Sequence, residues 1–297
     1  MRRALPVLLI LLFAASAAVL ALELFRSRQE QARLDREKVF LESEADRLTR
    51  DLADLRGRRD LLAERSASLD RRVRTLESYI EARAEDPWIR TAYLTFDDGP
   101  SSLTPAILDV LKKKNVKAAF FVVGKEDPVS LALYRRIVEE GHVLGNHSYS
   151  HDFSRIYAGR EGFWGDFFRL EDLLSEFTGK ESLYMRFPGG SRSSRDDQAG
   201  GRDPLLRSLR SEAEAAGYRV IDWNVYPDDA RLTPLPAEEM AELVRSQLPS
   251  RQKAVILMHD HARNINDPEA LELIIDMMLR EGYCFLPLSE NTIPVRF

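Results

Sequence analysis

The sequence predicts an α/β domain preceded by an apolar terminal run and a long polar helix, and three observations carry that prediction. From residue 91 onward, about seven strand-like segments alternate with helix-like ones. Ahead of them, residues 25–83 contain no proline and repeat leucine at every seventh position. Residues 4–22 are uncharged and apolar. Strands alternating with helices form a parallel sheet, either open or closed into a barrel. In such folds the chemistry gathers at the C-terminal ends of the strands.

Each segment follows from its residues. The opening run "ALPVLLILLFAASAAVLAL" has 19 residues, with Arg2 and Arg3 before it and Arg26 and Arg28 after it. About 20 helical residues span a bilayer core, so the run is long enough to cross. A cleaved signal peptide competes, because Ala15-Ser16-Ala17 resembles a small-residue cleavage site. The length of the run and the polar helix that follows favour an uncleaved anchor over residues 1–24. Positive charge at both ends leaves the orientation open. On either reading the chain enters the export pathway, so a single-pass membrane protein with its catalytic domain on the exported side is expected.

In the second segment, residues 25–84, leucine falls at 34, 41, 48, 55, 62, 69 and 76. With these at d, the a positions are Lys38, Ala45, Leu52, Arg59, Ser66, Val73 and Ile80. Leucine at each d position argues for a coiled coil, and hence for a homo-oligomer. The polar a residues make that zipper weak, and a solvated single helix is the competing reading. At 1.5 Å per residue such a stalk is roughly 85 Å long. "EDPW" then brings a proline that a helix does not easily continue through.

The third segment, residues 85–297, carries the alternation. "TAYLTF" precedes a helix over 105–114, "AAFFVVG" one over 129–140, and "HVLGNHS" a long amphipathic stretch over 162–177. "LYMRF" precedes a helix over 205–216 and "YRVIDWNV" one over 237–248. "AVILMH" precedes a helix over 268–280 that leads to "CFLPL". The net charge of −5 supplies no basic face, so no nucleic-acid partner is expected. The single cysteine, Cys284, lies in an apolar run and reads as a buried strand residue.

The unusual residues fall at the strand ends. In "TAYLTFDDGPSS" the strand "TAYLTF" ends in Asp97 and Asp98, followed by Gly99-Pro100. On that stretch alone the two carboxylates read first as turn residues. All five histidines, however, lie in "GHVLGNHSYSH" and "MHDH". His147 and His151, four apart, are placed on one side of a helical turn or tight loop, a common way to present two metal ligands. "LYMRF" carries Arg186 at its end, next to Phe187, "YRVIDWNV" runs into "YPDDA", and "AVILMH" ends at His259. In a parallel sheet these Asp, His and Arg side chains converge on one face, the layout expected of a metal hydrolase.

The order of these pieces resembles the polysaccharide deacetylases of carbohydrate esterase family 4. Thr95 to Gly99 resembles the family's T-F-D-D-G motif, and His147 to His151 its H-S/T-x-x-H motif. Arg186 to Gly190 resembles R-x-P-x-G, and Leu257-Met258-His259 the strand ending in L-x-H. The match covers residues 91–288 or so and leaves the stalk outside. In the fourth motif Asp229 takes the Asp position, with Asp228 as the alternative, and Ala230 stands where the family carries Trp. In the third, Gly189 stands where the family often has Tyr, which implies a more open rim.

The resemblance implies a distorted (β/α) barrel of about seven parallel strands. It implies a divalent metal, zinc before other transition metals, on Asp98, His147 and His151. It further implies Asp97 as general base, Arg186 holding Asp97, and the Gly189 N–H at the developing oxyanion. His259 would be the general acid, supported by Asp229. The expected substrate is an acetylated amino-sugar polymer such as peptidoglycan or a chitin-like glycan. A second reading keeps the fold and makes the domain a catalytically weak scaffold that works through its coiled coil. His261 reads as exposed, and residues 191–204 as a polar surface loop or a substrate-contacting one.

Overall fold

The computed structural model describes residues 4–81, 89–179, 182–191, 204–290, 292, 294 and 295, with residues 4–19 described by backbone alone. The chain divides into two compact units, Met1–Arg74 and Thr75–Phe297. Helix α1 (Ala4–Glu81) runs without interruption for 78 residues. Its one proline, Pro6, lies in the first turn, where the missing N–H costs nothing. Beyond it, Leu, Arg, Glu and Ala, all good helix formers, dominate. The seven heptad leucines are each more than half exposed. Surface pairs such as Arg58 Nε to Asp54 Oδ2, at 3.0 Å, brace the helix lightly.

Among the described residues, no helix is long and apolar enough to cross a membrane. The apolar run over 4–22 lies almost wholly among side chains outside the described residues. The break expected at "EDPW" also lies outside them.

The second unit alternates as the sequence predicts. β1 (Arg90–Asp97), α2 (Thr104–Lys114), β2 (Ala118–Val122), α3 (Pro128–Glu139) and β3 (Val143–Asn146) come first. The short α4 (Phe153–Ile156), then α5 (Arg160–Thr178), β4 (Tyr184–Met185), α6 (Pro204–Ala215) and β5 (Arg219–Val220) follow. α7 (Ala237–Ser246), β6 (Lys253–His259), α8 (Asp267–Arg280) and β7 (Tyr283–Phe285) complete it. Among the described residues all pairings are parallel, in the order β5-β4-β3-β2-β1-β6. β2 joins β1 only from Leu94 onward, and β7 takes the free edge at Arg90–Ala92.

The sheet curls. Past β5 the chain reaches β6, where Val225 bridges Ile256 and its carbonyl accepts from Leu257 N at 2.9 Å. "YRVIDWNV" is therefore not the single strand the sequence suggested. A straight strand cannot pair with β4 and β6 at once, so the chain bends between Val220 and Val225. The result is a curled (β/α) half-barrel of seven parallel strands.

Period-2 alternation sorts the strand residues between two layers. Ala92, Leu94 and Phe96 of β1 join Phe120, Ile256, Ile107 and Ile274 in the core beneath the helices. Tyr93 faces the inside of the curl with Phe121, Tyr184 and Val255. Thr95 and Asp97 share that inner face, which aims Asp97 into the barrel mouth. Cys284 corrects the expectation of a buried thiol. It is exposed, because β7 sends Tyr283 into the core and its next residue must point the other way.

Candidate active site

Two adjacent strand residues point to opposite faces, so the carboxylates of Asp97 and Asp98 converge only if the strand stops between them. It does. Asp97 is the last residue of β1, and Asp98 turns into the left-handed region with φ 71°. Gly99 follows because a Cβ there would fall 2.5 Å from Asp260 Oδ2. Asp260 is fully buried and accepts from Ser101 Oγ at 2.6 Å and Thr104 Oγ1 at 2.5 Å. Its own N–H donates to the Asp97 carbonyl at 2.8 Å. The turn and the site are thus the same structure.

Arg186, 1% exposed, fans its guanidinium across the interior. Nη1 donates to Asp97 Oδ1 at 2.8 Å and Thr95 Oγ1 at 2.9 Å. Nε donates to the Ile221 carbonyl at 2.8 Å and Nη2 to the Asp222 carbonyl at 3.2 Å. The group lies over the Phe121 ring at 4.4 Å. Burial raises the Asp97 carboxyl above the ordinary carboxylate range, while the charges of Arg186 and His259 pull it back down. Because Arg186 takes Oδ1, Oδ2 is left facing His147 Nε2, 3.5 Å away.

His147 and His151 sit in a loop rather than on a helical turn. Ser148 and His151 are left-handed, with φ 71° and 51°. Asp166 of α5, 1% exposed, holds that loop by accepting from the backbone of Tyr149 at 2.6 Å and Ser150 at 2.9 Å. His147 Nδ1 lies 2.8 Å from the Arg186 carbonyl. A carbonyl only accepts, so Nδ1 carries the proton and Nε2 presents its lone pair. Burial pushes this imidazole down to about 3, which keeps it neutral.

Asp98 Oδ1 lies 3.7 Å from His147 Nε2 and 3.3 Å from His151 Nε2. One ligand atom from each of the three residues falls within 4.8 Å of the others. Asp98 Oδ1 is buried without a hydrogen-bond partner. A carboxylate oxygen left without a donor beside two imidazoles is a donor set that fits a cation, and the two-His, one-carboxylate composition suits a divalent metal with open positions.

Across the mouth, His259 is bound to Asp229 twice. Its N–H donates to Oδ2 at 2.6 Å, and Nδ1 lies 2.9 Å from Oδ1. Burial lowers the His259 pKa, but the Asp229 hydrogen bond and charge, with Asp97 and Asp98, outweigh it and carry it up to about 9. Asp228 takes a different place. It is left-handed at φ 61° and pairs with Arg231 Nε at 2.6 Å. Gly189, at φ 80°, reaches the same cavity of about 550 Å³ as Asp97, Asp98, both loop histidines, Asp229 and His259. Ala230 also lines it, with Trp223 and Tyr226 supplying aromatic wall. His261 is exposed, as expected. Of residues 191–204, only Ser191 and Pro204 are described.

Asp166 and Asp260 escape a reading of the sequence. Each acts on a loop far away in the chain, and no local spacing marks them.

The model of the family described as polysaccharide deacetylase matches residues 85–205. A peptidoglycan-N-acetylglucosamine deacetylase of Bacillus cereus is 30% identical over 213 residues, 70% of this chain and 73% of that protein. A peptidoglycan-N-acetylmuramic acid deacetylase of Bacillus subtilis is 30% identical over 209 residues, 68% of this chain and 71% of that one. The crystal structure of the catalytic domain of a peptidoglycan N-acetylglucosamine deacetylase from Eubacterium rectale superposes with a TM-score of 0.65. It is 32% identical and covers 71% of this chain and 94% of that one. Motifs, fold and relatives agree, and the chain belongs to the polysaccharide deacetylase family.

Proposed function

We propose that this protein is a metal-dependent N-deacetylase that removes acetyl groups from amino sugars of a cell-wall glycan. The observation that carries the reading is the arrangement around one cavity. Asp98, His147 and His151 stand on one side, the Arg186-held Asp97 beside them, and the Asp229-held His259 opposite. The relatives named for peptidoglycan make the N-acetylglucosamine and N-acetylmuramic acid residues of that polymer the first substrates to test.

Asp98, His147 and His151 would hold the cation, for which zinc is the first candidate. When bound, it would supply Lewis acidity toward a water and the acetyl oxygen. The remaining steps belong to the chain. Asp97 Oδ2, free of Arg186, takes a proton from the attacking water. The Gly189 N–H faces the charge that develops on the acetyl oxygen. His259, protonated at neutral pH, gives its Nε2 proton to the departing amine, and Asp229 on Nδ1 stabilises the imidazolium. The products are acetate and the free amino sugar. Ala230 leaves one wall of the cavity low, which suits a bulky sugar.

In the same reading, residues 4–22 anchor the chain in the cell membrane, the heptad helix pairs with a second copy, and the catalytic unit lies on the exported side. Resistance of the membrane-bound chain to carbonate extraction tests the anchor, and a soluble form beginning near Ala18 would overturn it. The activity is tested by acetate release from peptidoglycan and from chitooligosaccharides, with chelator and with zinc restored. Chelator-sensitive release is expected. A zinc-loaded protein that releases no acetate from either polymer would sink the proposal.

A further inference from the structure

The loop that presents His151 lacks regular backbone pairing, and its N–H groups must find acceptors elsewhere. Five in succession, from Ser148 to Asp152, each donate to a side-chain oxygen. Three of these bonds are local: Ser148 N to Asn146 Oδ1 at 2.9 Å, His151 N to Ser148 Oγ at 3.1 Å and Asp152 N to Ser150 Oγ at 3.2 Å. The other two, from Tyr149 and Ser150, end on a single atom, Oδ1 of Asp166 in α5. Among the described residues, Asp166 is thus the one distant acceptor for this run. Ser148 and His151 are both left-handed, a region uncommon for residues with a Cβ, so local preference alone would not keep the loop on this path.

The two histidines depend on this support unequally. His147 is oriented through its own ring by the Arg186 carbonyl, and its N–H donates to the Val122 carbonyl at the end of β2, at 3.0 Å. His151 has neither hold: its side chain is 33% exposed, and among the described residues nothing hydrogen-bonds its Nδ1. Its Nε2 stands 3.3 Å from Asp98 Oδ1 because the backbone that carries it is fixed. α5 grips that backbone's neighbour twice, since Arg169 lies over the Tyr149 ring at 3.6 Å and donates to its Oη at 2.8 Å.

We propose that Asp166 is a positioning residue of the metal site: one carboxylate oxygen, bound to the amides of Tyr149 and Ser150, holds His151 in place as a ligand before any cation arrives. The inference rests on the reading of Asp98, His147 and His151 as the cation's ligands. Asp166 lines no part of the cavity and acts through His151. Its second oxygen faces Arg155 Nε of α4 at 3.7 Å, which ties the same carboxylate to the helix just beyond the loop.

The test measures zinc affinity of the full-length chain by competition with a chromophoric chelator. Asp166→Ala should weaken zinc binding about 10- to 100-fold. Asp166→Asn keeps a carbonyl oxygen for the two amides and should stay within about threefold of wild type. In a His151→Ala background, Asp166→Ala should cost less than about threefold more, because the ligand it positions is gone. An Asp166→Ala variant that melts earlier without metal yet binds zinc like wild type would show a structural role alone and overturn the proposal. So would an Asn variant as weak as the Ala variant, or a full further loss in the His151→Ala background. If Asp166→Ala fails to fold, hydrogen exchange in the metal-free wild type decides. The Tyr149 and Ser150 amides should exchange at least about tenfold more slowly than in the unfolded chain, and exchange at the unfolded rate would overturn the brace. A wild-type chain that binds no zinc would refute the proposed function instead, and the same exchange measurement would still decide the state of the loop.

Discussion

Asp97 and His259 are register partners on the neighbouring parallel strands β1 and β6. Parallel pairing brings the last inward residue of each strand side by side at the same end of the barrel, so a carboxylate and an imidazole share one cavity. Each is held from behind by a partner of opposite charge: Arg186 at 2.8 Å on Asp97, Asp229 at 2.9 Å on His259. The two clamps leave Asp97 Oδ2 and His259 Nε2 as the free atoms. Asp98 belongs to the other half of the site, because its left-handed backbone turns it toward His147 and His151.

That division predicts different fates for two neighbouring substitutions. Asp98→Asn should weaken zinc binding, since it removes the charged member of the three-residue donor set. Asp97→Asn should bind zinc almost normally and lose about 10²- to 10⁴-fold in acetate release, the usual loss for a general base. Excess zinc should rescue the first in part and the second not at all. Metal content and turnover on each purified variant check this. Two active variants with normal metal would return both carboxylates to the role of turn residues.

Arg186 should tolerate no replacement by a neutral side chain. Its guanidinium serves four acceptors, two of them main-chain carbonyls, from a position that is 1% exposed. Removing one partner of a buried ion pair leaves an uncompensated charge and costs about 3–5 kcal/mol. Arg186→Met should therefore lower the midpoint of denaturant unfolding and abolish turnover together. Arg186→Lys, with a compact charge and no planar fork, should keep more of the stability than of the activity. Equal losses of both in the lysine variant would refute the positioning role.

Much of this is legible in the sequence, for a physical reason. Asp97 and His259 each end an apolar strand and Arg186 directly follows one, and polar residues at the C-terminal ends of parallel strands have one destination. Local spacing was a poorer guide. The four-residue step from His147 to His151 fits a helical turn and a loop equally, and only the left-handed Ser148 and His151 decide for the loop. Cys284 misled because "YCFLPL" is apolar on average, whereas a strand with one packed face exposes its alternate residues.

His142 gives a pH test that is independent of the metal. Its ring is buried, Nδ1 accepts from Ala118 N at 3.1 Å, and Nε2 has no partner. Burial, helped by the charge of Lys117, lowers its pKa from 6.5 to about 4. The folded state thus favours the neutral ring, and the unfolded chain binds the proton first. Stability from this group is present above pH 6.5 and lost as pH falls toward 4. The slope approaches about 1.4 kcal/mol per pH unit for one proton. Urea midpoints between these pH values should fall less steeply in His142→Asn than in wild type. Parallel curves would show that His142 does not titrate on unfolding.

The heptad helix should self-associate without the catalytic unit, and only weakly. Leucines at 34, 41, 48, 55, 62, 69 and 76 form one stripe, and each is more than half exposed in the single chain. Burying them against a second copy would remove apolar area from water at about 25 cal/mol per Å². Opposing this, Lys38, Arg59 and Ser66 occupy a positions, where a charge or hydroxyl must be desolvated or held at the edge. An unpaired helix of this composition is held by little more than i,i+4 ion pairs, each worth a few tenths of a kcal/mol at most. Helix content and association should therefore rise together with concentration. Sedimentation and circular dichroism of residues 25–83 at high micromolar concentration check this, and Leu55→Ser with Leu62→Ser should abolish both signals. A segment that stays monomeric with little helix would show that the leucine repeat does not drive pairing.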